Sequence, residues 1–488
     1  MVYKLLILFS QFIKKIIHPL LYYSCYLSFV TCLFSQSLYN SNPTRVLIKE
    51  HQSKVINNKT STVQNRFQVT FNEYFYYNSN LPNLENHNGF YFPKGYGIIS
   101  GLLFQYHGKY LTFSAEPQIT KFREYAITLP EKEKSFSVLN DMLLNDAYKR
   151  KINNFRNIGI QFYYQGLRVG FGNWNQWWGP GIHNSLVMTN NSEGFYHYYL
   201  GTDGYRHIGS NLEYNFKYLI SNSIRNTKEI NYFLSAWFLN IKYNNIQIGS
   251  SRHILSGGHN DLIWGFRDAA KVLITNKNLK YWDQVYDLYF LYNVSSSGLK
   301  VFLELGFPNR FYDSKDPEVY RDHAMGSNLG LRKYGVFGKN ELMFGFEYTR
   351  LIQGIYYNIL PTPNWYDNIK YNYSSYNGRR WAAHSGSDSD DFLIFIGYID
   401  NTVSFIYGLN YERHGVTYHF PSEVKLESRI SASFKYNNTY IYLNYENEYF
   451  EHYGFVDSNK NVWEETFESG SIQNTHTLFI SIEHTFSF

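Results

Sequence analysis

The chain has 488 residues; 48 are Tyr, 39 Phe and 9 Trp, so one residue in five is aromatic, while only 17 % are charged. Its mean hydropathy of −0.40 excludes a helical membrane protein, which needs unbroken apolar runs of about 20 residues, and the aromatic content excludes disorder. A formal charge of +5 without a basic stripe or an RNA-binding signature argues against nucleic acid as a partner, and leaves a β-rich protein whose strands alternate apolar and polar faces.

Residues 1–35 have the layout of an export signal. Lys4, Lys14 and Lys15 form a positive region, Ile16 to Phe34 is apolar, and Ser35 offers a small residue for cleavage. His18 and Pro19 within the stretch weigh against a retained anchor, and Phe29-Val30-Thr31 before Cys32 lacks the small residues of a lipidation signal. Cys25 and Cys32 are the two cysteines of the chain. A mature protein without them has no disulfide scaffold, no cysteine nucleophile and no thiolate metal site. Loss of the three lysines lowers the formal charge to about +2, with little consequence for long-range fields. Residues 36–66 are polar, rich in Asn, Ser and Lys, and without a sustained period; they read as a linker or N-terminal extension.

Residues 67–488 repeat short alternating segments punctuated by Gly, Asn and Asp. Ile158, Ile160, Phe162 and Tyr164 share one face of a strand, with Gly159, Gln161 and Tyr163 on the other. Residues 173–191 break this pattern. Trp174, Trp177 and Trp178 crowd with Asn173, Asn175 and Gln176 before a Gly179-Pro180-Gly181 turn, and Asn184, Asn190 and Asn191 follow. Aromatic faces stack on the C–H faces of sugar rings, and amides pair donor and acceptor with hydroxyls, so these residues are candidates for glycan binding. The competing reading is structural: Trp in an interfacial girdle, and amides that satisfy the backbone of a loop folded inside a barrel. Because the Gly-Pro-Gly turn breaks any strand, it is expected to free both Trp177 and Trp178.

Further along, Asn244-Asn245 and Asn437-Asn438 sit between alternating runs and predict tight hairpins, since Asn tolerates positive φ. The stretch His384 to Asp391 has carboxylates for a calcium ion but not the spacing of an EF-hand loop, and reads as a solvated loop. Glu464, Glu465 and Glu468 could supply the acid pair of a glycosidase, though a surface charge cluster is the default. The histidines show no close ligand spacing, and neither a G-x-S-x-G elbow nor a phosphate loop is present. Neither metal, nor cofactor, nor catalytic residue is expected.

The last strand carries the architecture. In His476–Phe488, Leu478, Ile480, Ile482, Phe486 and Phe488 lie on one face, interrupted by His484, while Thr477, Ser481, Glu483, Thr485 and Ser487 lie opposite with Phe479 as the misfit. About ten residues of such a strand cross a tilted bilayer barrel. A free aromatic edge at a chain end would aggregate unless the sheet closes on itself. At the observed spacing the closed, antiparallel transmembrane barrel needs an even number of strands, about 16–18. The terminal Phe resembles that of bacterial outer-membrane barrels, which implies an insertion signal at Phe486 and Phe488, read by the barrel assembly machinery.

The block Trp177-Trp178-Gly179-Pro180-Gly181, with Asn184-Ser185-Leu186, Thr189-Asn190-Asn191 and Gly194-Phe195, resembles the capsule assembly Wzi family of outer-membrane proteins in its Bacteroidetes-type form. Ser251-Arg252, Glu304-Leu305-Gly306, Arg321-Asp322-His323, Leu329-Gly330-Leu331-Arg332-Lys333 and Tyr411-Glu412-Arg413-His414-Gly415 agree, over roughly residues 89–488. The resemblance implies an eighteen-stranded barrel in the outer membrane that binds capsular polysaccharide as a lectin, without catalysis, its lumen filled by folded-in loops. Two departures stand out. The helical bundle of better-known members has no counterpart in the pattern of residues 36–88, and Phe307-Pro308-Asn309-Arg310 stands where the family has an Arg-Asn-Asp-His segment. A porin, a part of a surface-motility or secretion apparatus, and a barrel hydrolase are the alternatives. Deleting Phe488, or replacing Phe486 and Phe488 by Asp, is expected to abolish assembly of heat-modifiable barrel in outer-membrane fractions, through loss of the insertion signal more than through the few kcal/mol of burying charge.

Overall fold

The computed structural model describes residues 43–55, 66–83, 85–125, 153–226, 228–258, 265–271, 282–308, 325–352, 365–366, 368–417, 421–455 and 472–488. The export-signal stretch, Arg321-Asp322-His323 and Glu464, Glu465 and Glu468 lie outside these residues. The first strands are β1 (Arg66–Asn78), β2 (Gly95–His107), β3 (Leu111–Glu124), β4 (Asn153–Tyr164), β5 (Leu167–Gly172) and β6 (His197–Thr202, continued by Arg206–Ile208). Next come β7 (Leu212–Arg225), β8 (Asn231–Tyr243), β9 (Ile246–Gly257), β10 (Asp283–Val294), β11 (Leu299–Pro308) and β12 (Gly326–Val336). The last are β13 (Lys339–Arg350), β14 (Ser389–Ile399), β15 (Val403–His414), β16 (Glu423–Tyr436), β17 (Thr439–Glu451) and β18 (Gln473–Ser487). Both pieces of β6 pair with β7, which makes them one stave.

Each strand pairs antiparallel with the next, and β18 returns to β1. Thr70 Oγ1 and Thr485 Oγ1 meet at 3.0 Å across that seam, and Phe488 N–H donates to Phe67 O at 2.9 Å. The result is a closed 18-stranded barrel, the even count that antiparallel closure required.

Alternation sorts the faces. Along β1, Phe67, Phe71, Phe75 and Tyr77 point outward and are exposed, while Gln68, Thr70 and Asn72 point into the lumen and are buried. An apolar outer band over a polar interior is the pattern of a barrel wall that faces lipid. On β4, Ile160, Phe162 and Tyr164 lie outside and Gln161 inside, as the sequence pattern predicted. The misfit Phe479 of β18 faces the lumen too. There it packs on Tyr74 at 5.8 Å and on Phe92 at 5.2 Å, closing an aromatic cluster that no strand pattern encodes.

The two ends of the barrel differ. Hairpins such as Asn244-Asn245 and Asn437-Asn438, with Asn244 at φ 51° and Asn437 at φ 50°, lie at the end that holds both β1's start and β18's finish. Longer connections lie at the opposite end, after β1, β3, β5, β9, β11, β13, β15 and β17. Short turns on one side and long loops on the other is the asymmetry of outer-membrane barrels.

One expectation is overturned. Residues 43–55, within a stretch read as a linker or N-terminal extension, form helix α1 (Pro43–Val55) inside the short-turn end of the barrel. It lacks an apolar stripe, so its period was invisible; tertiary contacts hold it instead. Leu47 is buried against Ile182, Tyr334, Met343 and Phe395. Arg45 pairs with Glu483 of β18 at 2.5 Å and lies 4.3 Å from the Tyr440 ring centroid. On the far wall Glu50 pairs with Lys300 of β11 at 3.0 Å and Arg332 of β12 at 3.1 Å, and accepts from Tyr334 Oη at 2.7 Å. His51 Nε2 lies 2.9 Å from Asn340 O.

Burial alone would raise the Glu50 carboxyl, but Arg332, Lys300 and the Tyr334 hydroxyl outweigh it and hold it at about 2, below its ordinary 4.5. A depressed folded-state pKa stabilises docking above the ordinary value and loses that contribution as pH falls through the folded one. A spin label on Ile48→Cys should therefore become mobile on acidification below about pH 4, and Glu50→Gln should show the same mobility already at neutral pH. Identical spectra for the two proteins at every pH would refute the helix-docking role of Glu50.

Candidate functional site

The Trp-rich segment leaves the wall after β5 and folds down the lumen before rejoining it at β6. Asn173 and Trp174 fix its point of departure: Asn173 Oδ1 accepts from Ile158 N at 2.8 Å, and Trp174 Nε1 donates to Ser114 Oγ at 3.2 Å. A loop inside a barrel cannot send its backbone groups to bulk water, and each one buried unpaired is costly. Wall side chains take the role of a neighbouring strand. Glu347 of β13 accepts from Ile182 N at 2.8 Å and His183 N at 3.0 Å, and Glu304 of β11 accepts from Leu186 N at 2.8 Å. From β12, Asn328 Nδ2 donates to Asn184 O at 2.9 Å and Arg332 Nη2 to Pro180 O at 3.0 Å. At the tip, a methyl on Gly181 would overlap the Asn184 carbonyl and the Asn328 amide, so the close approach requires glycine.

The candidate glycan residues are thus distributed by depth. Trp178 has no exposed surface; its N–H bonds Met188 O at 3.0 Å and its ring lies 5.9 Å from Phe238. Asn184 Nδ2 donates to Asp391 Oδ2 at 2.7 Å and Thr349 Oγ1 at 3.1 Å, and Asn184 Oδ1 accepts from His384 N at 3.1 Å. Asn190 Nδ2 donates to Asn88 Oδ1 at 2.8 Å, and Asn191 Nδ2 donates to Arg380 O at 2.9 Å. These four are enclosed, whereas Gln176 and Trp177 are half-buried, Trp177 Nε1 donating to Gly181 O at 2.9 Å. The turn therefore does not free both rings: Trp178 is drawn into the main apolar cluster with Leu186, Trp365 and Trp381, while Trp177 stays half-buried.

A second correction concerns His384 to Asp391. The stretch is buried throughout and is not a solvated loop. His384 to Asp388 end the segment 368–388, which also folds inward, Ser389 to Asp391 open β14, and the acids are engaged: Asp390 with Arg413 at 2.8 Å, Asp388 with Thr417 N at 2.9 Å. Asp391 Oδ2 lies 3.0 Å from His183 Nε2 and 3.3 Å from His384 Nε2. Around them gather Glu85, from the inward-folded connection after β1, and Glu412, 3.6 and 3.9 Å from His384 Nε2. Lys425 Nζ lies at 3.3 Å from both Glu427 and Glu448, at 3.5 Å from Glu412, and pairs with Glu85. His414 bridges Glu412 at 2.7 Å and Glu423 at 2.8 Å. Burial by itself would lower the His384 imidazole; Glu85, Asp391 and Glu412 raise it to about 9.

Sequence reasoning did not single out Glu304, Asn328, Glu347 or this carboxylate cluster as a site. A signal was present: Lys425, Glu427 and Arg429 alternate on β16 opposite Glu446 and Glu448 on β17, a charged ladder on one face of two strands. Three of the segments behind the family resemblance converge in space. Glu304, Arg332 and Glu412, from three of them, all line the cradle of the Trp-rich loop or the cluster beside it.

No family model and no curated protein matches the chain. Among solved structures it is similar to Wzi of Escherichia coli, an outer-membrane protein involved in group 1 capsule assembly and a carbohydrate-binding β-barrel. The TM-score is 0.57 at 13 % identity, over 91 % of this chain and 88 % of that one. OccAB4 of Acinetobacter baumannii follows with a TM-score of 0.45 and 10 % identity, over 88 % of this chain and 100 % of that one. OccK8 (OprE) of Pseudomonas aeruginosa gives 0.46 and 8 %, over 87 % and 98 %. At such identity the likeness to Wzi speaks for the fold: a closed 18-stranded barrel of the kind found in outer-membrane proteins.

Truncating Trp178 to Ala removes a large ring from a dry cluster and should destabilise the barrel by about 3–5 kcal/mol. Asn184→Ala leaves Asp391 and the His384 amide short of a partner and should cost about 1–3 kcal/mol. Heat-modifiability melting curves should show both losses.

Proposed function

We propose that this chain is a Wzi-like protein of the outer membrane that binds or organises capsular or other surface polysaccharide at its long-loop end, without catalysis. The observation that carries this reading is the filled lumen. Helix α1 occupies the short-turn end, the Trp-rich loop and residues 368–388 occupy the middle, and all three are bonded to the wall. A barrel packed in this way is suited to presenting a rigid rim rather than to passing solutes. The fold shared with the carbohydrate-binding Wzi barrel supports the same assignment, as do the aromatic and amide residues concentrated around the inserted loops. Enclosed Trp178, Asn184, Asn190 and Asn191 then hold the frame, and sugar contacts fall to the long loops and to whatever surface Gln176 and Trp177 expose. Lipid and the barrel assembly machinery are its other partners.

Purified barrel should retain polysaccharide extracted from the cells that produce it, and should show no steady open-pore current in planar bilayers. Trp178→Ala should lower the yield of folded protein yet bind equally well per folded molecule. Open-pore conductance with no polysaccharide retention would transfer the chain to the channel reading. Release of sugar or fatty acid, abolished by one Glu or Ser substitution, would transfer it to the hydrolases.

A further inference from the structure

We propose that the lumen holds a divalent first-row cation of the zinc class, bound by His183 Nε2, His384 Nε2 and Asp391 Oδ2, with Glu412 Oε2 closing the fourth position. The three primary ligand atoms lie within 4.8 Å of one another and all three residues are buried. Their measured edges to Asp391 Oδ2 are 3.0 and 3.3 Å. A tetrahedral ion with bonds of about 2.0–2.1 Å sets its ligand atoms about 3.3 Å apart. Glu412 Oε2, 3.9 Å from His384 Nε2, is the neighbouring carboxylate oxygen on the open side of His384.

Three triads of buried ligands occur among the described residues, and what lies inside each separates them. Glu85, Glu427 and Glu448 form one triad. The Lys425 ammonium already sits within 3.3 Å of Glu427 and Glu448 and pairs with Glu85, so a cation is in place there. The other two triads share His384, but Lys425 also pairs with Glu85 and lies 3.5 Å from Glu412, so it is in the His183–His384–Asp391 triad that the cationic partners are imidazoles. Glu85 Oε2 and Glu412 Oε2 are buried oxygens that receive no hydrogen bond, and both lie near His384 Nε2. The two imidazole rings stand edge to face with centroids 4.4 Å apart, so both are gathered on the one Asp391 carboxylate.

The donor set also selects the ion. Two imidazole nitrogens with carboxylate oxygens suit zinc and its neighbours, whereas calcium takes six to eight oxygens and magnesium keeps its waters. The ligands come from four separate pieces: His183 from the Trp-rich loop, His384 from the second inward loop, Asp391 from β14 and Glu412 from β15. An ion at this point staples both loops to the wall, and binding free energy becomes folding free energy.

Protein purified in detergent from membranes and dialysed free of loose metal should carry about one zinc per chain by mass spectrometry of the elements. Stripping it with dipicolinate should lower the melting temperature, with recovery on adding Zn²⁺ but not Ca²⁺ or Mg²⁺. His384→Ala and Asp391→Asn should lose the ion, whereas Glu427→Gln, in the lysine-filled triad, should keep it. Because the first two variants are able to fail by misfolding, cobalt-loaded wild type gives an independent reading: a strong visible ligand-field spectrum of a tetrahedral ion. Zinc below about a tenth of an equivalent after incubation with the metal, melting indifferent to chelator, or full zinc in folded His384→Ala would each overturn the site. None of these readings depends on whether polysaccharide is bound.

Discussion

Backbone that enters a closed barrel must find every hydrogen-bond partner inside it, and this constraint organises the whole interior. The strands satisfy one another around the ring, but residues 173–196 and 368–388 bring peptide groups into a space with no free edge to pair with. Lumen-facing Glu304, Asn328, Arg332 and Glu347 supply what an edge would have supplied, placed on three adjacent strands so that they meet successive groups of the loop. Charged acceptors suit this task, since a carboxylate takes two N–H groups at once and binds each more strongly than a neutral acceptor does. Glu347 does so with Ile182 and His183.

Placing so many acids in one lumen creates a second problem, which the fold resolves by sharing cations. Arg332 serves Glu50 of helix α1, Glu347 of the wall and the carbonyl of Pro180 together. Lys425 serves four carboxylates, and Arg429 bridges Glu427 and Glu446 at 2.7 and 2.8 Å. A network in which each cation is held by several pieces of chain resists stepwise loosening, because removing one partner leaves a buried charge behind. Plug helix, inserted loops and wall are thereby coupled, and the long-loop end rests on a rigid floor.

Much of this was legible in the sequence. Alternation placed Gln161 inside and Phe162 outside, the Asn-Asn pairs marked hairpins, and the aromatic last strand demanded closure with an even count, because local geometry fixes each of these within a few residues. The Trp-Trp-Gly-Pro-Gly block stood out by composition. Helix α1 did not, because its ends are anchored by Arg45 and Glu50 rather than by an apolar stripe. The acids of residues 384–391 resembled a solvated loop, and nothing local distinguishes a charged loop in water from one facing histidines.

Which residues meet across the lumen was decided by the tertiary structure alone. Glu347 and Ile182 are 165 positions apart, His183 and Asp391 208, Glu85 and Lys425 340. Such pairs exist only after the sheet has closed at one strand number and one stagger, which sets which inward side chains lie at the same depth. The sequence by itself determined the wall, because period and turn chemistry are short-range properties. The contents of the lumen, and with them the frame of the Trp-rich loop and the histidine–carboxylate cluster, came from closure, because a ring of eighteen strands juxtaposes residues that no local rule connects.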